Sequence, residues 1–111
     1  MLEIKKMILY NITFVVEDSV HDEWFSWFKA EHIDDYLKSG SFLGARFGKI
    51  TSHEEPGMKT YSIQFFVNDV ETLDHFKQTF LGDLQRKLLL KFGTNVLSFS
   101  SEMDHIGDYS L

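Results

Sequence analysis

The first helix predicted from the sequence ends in polar side chains that could carry out acid–base chemistry. His32 is followed closely by Asp34 and Asp35, and a neighbouring carboxylate can orient an imidazole and raise its pKa. Glu31, His32 and Asp35 could also hold a metal ion, but their spacing matches no specific ligand pattern. A helix end rich in acidic residues produces such pairs by chance, so a structural or capping role for His32 is the plainer interpretation.

Aromatic residues precede this polar group at helical spacing. Trp24, Trp27 and Phe28 fall on one stripe of a helix that turns about 100° per residue. Such a stripe usually belongs to the core of a domain. It could also form an aromatic wall for a flat ligand between the first helix and the sheet.

Three polar residues of the predicted strands could complete a pocket against this wall. Arg46 stands alone in an apolar strand, where it could bind a ligand carboxylate or pair with Glu31 or Asp35. Tyr61 and Asn11 could supply hydrogen bonds, although both residue types more often serve packing. No catalytic residue is assigned. The predicted ligand-binding residues are Trp24, Phe28, His32, Arg46, Tyr61 and Asn11.

Composition argues against several other functions. The chain has 111 residues, a net charge of −6 and no cysteine. An acidic protein is a poor match for nucleic acid or an anionic membrane surface, and the longest apolar run is far shorter than the ~20 residues of a membrane span. The absence of cysteine excludes disulfides and thiol chemistry and is typical of a reducing compartment. We therefore expect a soluble cytoplasmic protein with no metal, no cofactor, no nucleic-acid partner and no membrane partner.

Residue periodicity predicts the order strand–helix–strand–strand–helix–strand. Alternating apolar residues predict strands at 7–16, 42–52, 58–68 and 95–101. In the last strand, Leu97 and Phe99 are predicted to face the helices.

Helical spacing and capping residues place the two helices. Ser19 and Asp22 fit a capping box at the start of the first helix, and Gly40 follows its end. Its stripe is predicted to continue to Glu31 and Asp35, with His32 beside it. The second helix is predicted to begin after Asn68 or Asp69 and to run to about Lys91. Its in-phase apolar residues are Val70, Leu73, Phe76, Phe80, Leu84 and Leu88.

This order predicts the ferredoxin-like βαββαβ fold, an α+β arrangement with two helices on one face of a four-stranded antiparallel sheet. We predict one domain at 7–102, with loose termini at 1–6 and 103–111. The other sheet face is too apolar to be left in water, so we expect a second copy of the chain to cover it in a symmetric dimer. The residues predicted on that face are Leu9, Asn11, Thr13, Ser62, Gln64, Phe66, Val96 and Ser98.

Several stretches of the sequence together carry a resemblance to a known family. They are 7–13, 21–24, 27–29, 31–33, 41–46, 61–65 and 91–93. They resemble a small bacterial family known as domain of unknown function 4286. Where that family often has a proline after His-Ile, this chain has Asp34. The resemblance implies a fold similar to the dimeric α/β barrels, and dimerisation, but no activity.

The dimeric α/β barrels include antibiotic-biosynthesis monooxygenases and haem-degrading enzymes. Haem-degrading members use an Asn on the first strand, a Trp on the third and a His on the second helix. Asn11 matches the first of these, but Phe65 or Phe66 stands in place of the Trp, and His75 is predicted on the polar side of its helix. The leading hypothesis is therefore a dimeric domain that binds a small molecule or a protein partner between helix one and the sheet. The alternative is a cofactor-independent monooxygenase acting on an aromatic substrate, with His32 as base.

Overall fold

A four-stranded antiparallel sheet carries both helices on one face. The computed structural model describes residues 7–110. The strands are β1 (Ile8–Glu17), β2 (Gly44–Ile50), β3 (Met58–Val67) and β4 (Val96–Asp104), in the order β2-β3-β1-β4 across the sheet. The predicted ferredoxin-like α+β fold is confirmed, since the element order and the antiparallel pairing are those of the βαββαβ arrangement.

The sheet register determines which side chains share a face. Phe14 of β1 lies opposite Tyr61 of β3 and Ser98 of β4, whereas the next row contains Thr13 and Phe99. Successive strand residues point to opposite faces. The row of Phe14 therefore points towards the helices, and the row of Thr13 points to the face without helices, called the free sheet face below.

The first helix, α1, covers residues 21–37 in three consecutive pieces. His21–Trp27 and Ile33–Leu37 are α-helical, and Phe28–His32 between them is π-helical. A single 3-10 turn, Asp18–Val20, precedes the helix. No side chain caps the start of α1, so the predicted capping box of Ser19 and Asp22 is wrong.

The π turn of α1 changes which polar residues face the sheet. A regular helix would place Glu31 and Asp35 on the aromatic stripe. A π turn lengthens the helical repeat by one residue, so every later side chain moves round the helix by one position. His32 and Tyr36 are therefore buried, while Glu31 is exposed. The predicted continuation of the stripe is wrong for this reason.

The second helix, α2, covers residues 70–92 without interruption. Its pieces are Val70–Phe76, π-helical Lys77–Leu81 and Gly82–Phe92. The predicted cap is confirmed, because Asp69 Oδ1 accepts a hydrogen bond from the backbone N–H of Thr72 at 2.8 Å.

Strand β4 faces the opposite way from the prediction. Val96 lies opposite Val16 and is buried, whereas Leu97 and Phe99 lie on the free sheet face with 55% and 61% of their surface exposed. The prediction assumed that the largest apolar residues of the strand turn towards the helices. In the structure, Val96, Ser98 and Ser100 face the helices, and the small serines leave space beneath α2.

The last strand is longer than predicted. Strand β4 continues to Asp104, three residues past the predicted strand end at 101, and the backbone N–H of His105 donates to the Met7 carbonyl at 2.9 Å. The domain bounds of 7–102 stay a prediction. The predicted loose segment 1–6 and residue 111 lie outside the described residues.

Candidate functional site

Three of the six predicted ligand-binding residues are packed together in the core. Trp24 and Phe28 have no exposed surface, and their ring centroids are 4.9 Å apart. Tyr61 lies 5.2 Å from Trp24, and its hydroxyl forms a 2.6 Å hydrogen bond with Nε2 of His21. Side-chain packing therefore fills the place where the sequence predicted an aromatic wall open to a ligand.

His32 is also fully buried, in an aromatic environment. Its ring stacks on Trp27 at a centroid distance of 4.3 Å and meets Tyr36 edge-on at 5.2 Å. Neither ring nitrogen has a hydrogen-bond partner within residues 7–110, and the carboxylate of Asp35 is 4.0 Å from Nδ1. Burial lowers the pKa of His32 to about 4, which Asp35 opposes and Lys87 assists. The imidazole is thus neutral at physiological pH.

Arg46 and Asn11 lie on the free sheet face, away from this cluster. Both are in the row of Gln64, and Arg46 packs over the ring of Phe66 at 5.7 Å. Asn11 accepts a hydrogen bond from the Ser62 hydroxyl at 2.5 Å. The six predicted residues therefore do not line one pocket, because the pleat of the sheet sends Arg46 and Asn11 to the side opposite the helices.

A half-enclosed cleft of about 120 Å³ lies between α2 and the β1–β4 side of the sheet. The helices form its roof, and Tyr10, Ile12 and Phe14 of β1 with two serines of β4 form its floor. It exists because β4 presents only serines to the helices at this point, so that no large side chain fills the gap. The cleft is lined by Tyr10, Ile12, Phe14, Tyr36, Leu81, Gln85, Leu88, Ser98, Phe99 and Ser100.

Two tyrosines supply the buried polar groups of this cleft. Tyr10 and Tyr36 are 1% and 3% exposed. Burial raises the pKa of Tyr10, with an opposing hydrogen bond from Ser100, and burial also raises the pKa of Tyr36. Both phenols therefore stay protonated across the physiological range, and their hydroxyl groups can donate hydrogen bonds.

The charged residues near Tyr10 neutralise each other. Lys77 Nζ lies 5.8 Å from the centre of the Tyr10 ring and 2.7 Å from the carboxylate of Glu102. No residue that lines the cleft carries a formal charge. The cleft is therefore an uncharged site bordered by an ion pair.

The sequence did not predict this cleft, because the predicted pocket lay between the first helix and the sheet. A signal was present: Tyr10 interrupts the apolar face of β1 with a polar tip, and Ser98 and Ser100 alternate with the large Leu97 and Phe99. These serines indicate a space beneath the helices only once it is known that they, and not Leu97 and Phe99, point towards the helices. Tyr36 also needed the π turn of α1, which the sequence does not reveal.

No helix within residues 7–110 is long and apolar enough to cross a membrane. Within the same part of the chain, no group of three or more His, Asp or Glu side chains is arranged to hold a metal ion.

Solved structures share the fold at low sequence identity. A dimeric ferredoxin-like protein from an uncultured marine organism has a TM-score of 0.62 at 11% identity, covering 95% of this chain and all of that one. An ethyl tert-butyl ether D family protein from Bacillus halodurans has 0.63 at 14%, with coverages of 85% and 96%. SnoaB, a cofactor-independent oxygenase from Streptomyces nogalater, has 0.52 at 13%, with coverages of 96% and 97%.

A comparison with curated proteins finds no match. One family model covers nearly the whole described chain, over residues 7–106. The chain therefore belongs to the family described as "Domain of unknown function (DUF4286)".

Proposed function

We propose that this protein is a homodimeric binding domain that holds a small molecule in the cleft beneath α2. The observation that carries the proposal is the cleft itself, an uncharged space with two protonated tyrosines among its lining residues. Ligand sites combine apolar walls with a few converging polar groups, and this cleft has both. The proposed site differs from the pocket that the sequence predicted between helix one and the sheet, because the side chains of Trp24 and Phe28 fill that place.

Filling the cleft from β4 tests the binding role. Ser100→Leu places a larger side chain on the cleft floor at an exposed strand position. In an NMR titration with benzene, we expect the backbone amide resonances of Ser98 and Gln85 to shift in the wild type and not in Ser100→Leu. Ser52→Leu, the same change in the exposed β2–β3 turn, is the control and should behave as the wild type. No shift in the wild type, or an equal shift in Ser100→Leu, would contradict the binding role.

The dimer is proposed to form through the free sheet face. Beside the exposed Leu97 and Phe99, Met103 is 43% exposed on the same face, and all three belong to β4. The face spans four strands of up to ten residues. At ~3.3 Å per residue and ~4.8 Å between strands its flat area is about 600 Å², and side-chain relief brings the accessible area towards the roughly 800 Å² per partner of a standard interface.

A second copy fits this face better than an unrelated partner for two reasons. On one side of the polar row of Arg46 and Asn11 lies the row of Leu9, Phe66 and Met103, and on the other side lies the row of Phe99. A two-fold axis through the polar row would therefore set apolar side chains of one copy against apolar side chains of the other. A fold relative at 11% identity is also described as dimeric. The proposed two-fold pairing would remove the exposed apolar rows from water.

A single charge placed in this surface should separate the copies. We expect Phe99→Lys to change the protein from a dimer to a monomer at micromolar concentration, because two symmetry-related lysines would be buried without partners. Leu90→Lys introduces the same charge on α2, where Leu90 is 80% exposed, and should leave the dimer intact. Light scattering coupled to size exclusion measures both variants. A monomeric wild type would refute the dimer.

The alternative of a cofactor-independent oxygenase rests on fold similarity to the Streptomyces nogalater enzyme. Such chemistry needs a base beside the substrate. His32, the base suggested by the sequence, is fully buried and is not among the residues that line the cleft, which it reaches only through its contact with Tyr36. We therefore propose binding rather than catalysis. The cytoplasmic location stays a prediction from the absence of cysteine.

A further inference from the structure

We infer that the two copies pack face to face so that Phe99 of each copy enters a depression above Gly48 of the other. This inference rests on the dimer proposed above and specifies how its two free sheet faces meet. It follows from three properties of that face: a depression at one edge, large exposed side chains at the opposite edge, and a strand register that places them in the same rows.

The depression lies on β2, where a glycine interrupts the free sheet face. Gly48 has Arg46 and Ile50 on either side of it along the strand, and Ser62 is its neighbour on β3. The depression has a volume of about 310 Å³, about twice the roughly 150 Å³ of a protein cavity that binds benzene. A Cβ atom added at Gly48 would meet no non-neighbouring residue of the described chain within 4 Å. The space above Gly48 is thus large enough for a phenyl ring.

The opposite edge of the free sheet face carries large side chains in the same rows. In the row of Gly48 the β4 residue is Phe99, which is 61% exposed, and in the row of Gly44 it is Met103. Each glycine of β2 therefore shares a row with a large side chain of β4. The two edge strands are three spacings of ~4.8 Å apart, about 14 Å in all, so Phe99 cannot fill the depression of its own copy.

A two-fold axis that crosses the polar row and runs parallel to the strands, between β3 and β1, brings these features together. It places β4 of one copy over β2 of the other and keeps each row opposite the same row, so Phe99 lies over Gly48 and Met103 over Gly44. An axis along the polar row would instead set Phe99 against Met103 and Gly48 against Gly44. That arrangement would crowd one edge and leave a gap at the other, whereas interface cores are closely packed.

The polar groups beneath the depression do not oppose this packing. The Ser62 hydroxyl donates to Asn11 Oδ1 at 2.5 Å, and Asn11 Nδ2 donates to Thr13 Oγ1 at 3.4 Å. A phenyl ring can therefore cover these side chains without removing their hydrogen bonds, so no unpaired polar group results. Arg46 borders the depression and already packs over Phe66, so its guanidinium can also lie against the inserted ring.

Moving the ring from β4 to β2 tests this packing. Gly48→Phe fills the depression and should raise the dissociation constant of the dimer about 30-fold or more, as expected at an interface hot spot. Phe99→Ala should also weaken the dimer. The double variant Gly48→Phe/Phe99→Ala again sets a ring against a small residue, so it should bind within about 3-fold of the wild type, because substitutions at contacting residues are not additive. Analytical ultracentrifugation measures all four dissociation constants.

Gly82→Phe is the matched control for the added ring. Gly82 is exposed on α2, and a Cβ atom there also meets nothing within 4 Å in the part of the chain that the structure describes, so the dimer should be unaffected. Gly48 does not have the positive φ that favours glycine, and we therefore expect Gly48→Phe to fold as the wild type does. Circular dichroism checks the fold of each variant.

Isotope-filtered nuclear Overhauser spectra of mixed labelled and unlabelled wild type test the contact without any substitution. We expect cross-peaks between the Phe99 ring of one copy and the Gly48 Hα protons of the other. Cross-peaks from the Phe99 ring to the Met103 methyl group of the other copy would overturn this packing and leave the dimer standing. So would a Gly48→Phe dimer as tight as the wild type, or a double variant weaker than both single variants. A monomeric wild type would overturn the dimer itself.

Discussion

Replacing Phe28 by alanine is expected to lower the free energy of unfolding by about 3–5 kcal/mol, the usual effect of removing a fully buried aromatic ring. Phe28 has no exposed surface and contacts Phe14, Trp24 and Phe47 at centroid distances of 5.0, 4.9 and 4.9 Å. A change of this size is a large part of the total stability of a small domain. Urea unfolding of the wild type and of Phe28→Ala measures the difference. Both proteins are compared at the same protein concentration, because dimerisation would contribute to their apparent stability.

The size of this loss shows whether Phe28 is a core residue or lines an open ligand pocket. If Phe28 lined an open pocket, truncation would lose ligand affinity and cost little stability. Phe25→Ala, one turn earlier and only partly buried, is the matched control and should destabilise less. A loss below about 1 kcal/mol for Phe28→Ala, a value typical of surface substitutions and mild changes, would revive the predicted pocket beneath α1.

Acidification is expected to destabilise the protein through His32 by about 3 kcal/mol in total. The pKa of His32 is about 4 in the folded chain and 6.5 as the ordinary value, and each pKa unit corresponds to about 1.4 kcal/mol. Between these two values the unfolded state binds more protons than the folded state, so stability falls as the pH falls. The contribution is fully present above pH 6.5 and is lost as the pH approaches about 4.

Unfolding free energies measured at intervals across this pH range test the assignment to His32. His32→Gln removes the titrating group and should flatten the profile between its two pKa values. His75→Gln, the same change at an exposed position of α2, is the control variant. A wild-type profile that is parallel to that of His32→Gln would show that His32 is not the source of the acid sensitivity.

The sequence by itself determined the order of the elements and most of the core. Alternation in β1 and β3 correctly predicted that Tyr10, Phe14 and Ile63 face the helices, because a strand with one apolar side can bury only that side. The Asp69 cap was also predictable, since an aspartate that precedes a helix can accept a hydrogen bond from the backbone N–H three residues later, here that of Thr72. These features depend on residues that are close in the chain.

Only the tertiary structure decided the phase of the later part of α1 and the facing of β4. A π turn has no reliable signature in the sequence, yet the one in α1 exchanges exposed and buried positions and brings Tyr36 to the cleft. In β4, pairing with β1 turns Ser98 inward and Phe99 outward. Local hydrophobicity pointed the other way because it cannot distinguish a face that packs on helices from one that we propose packs on a second copy. The candidate site lies where these two undetermined features meet.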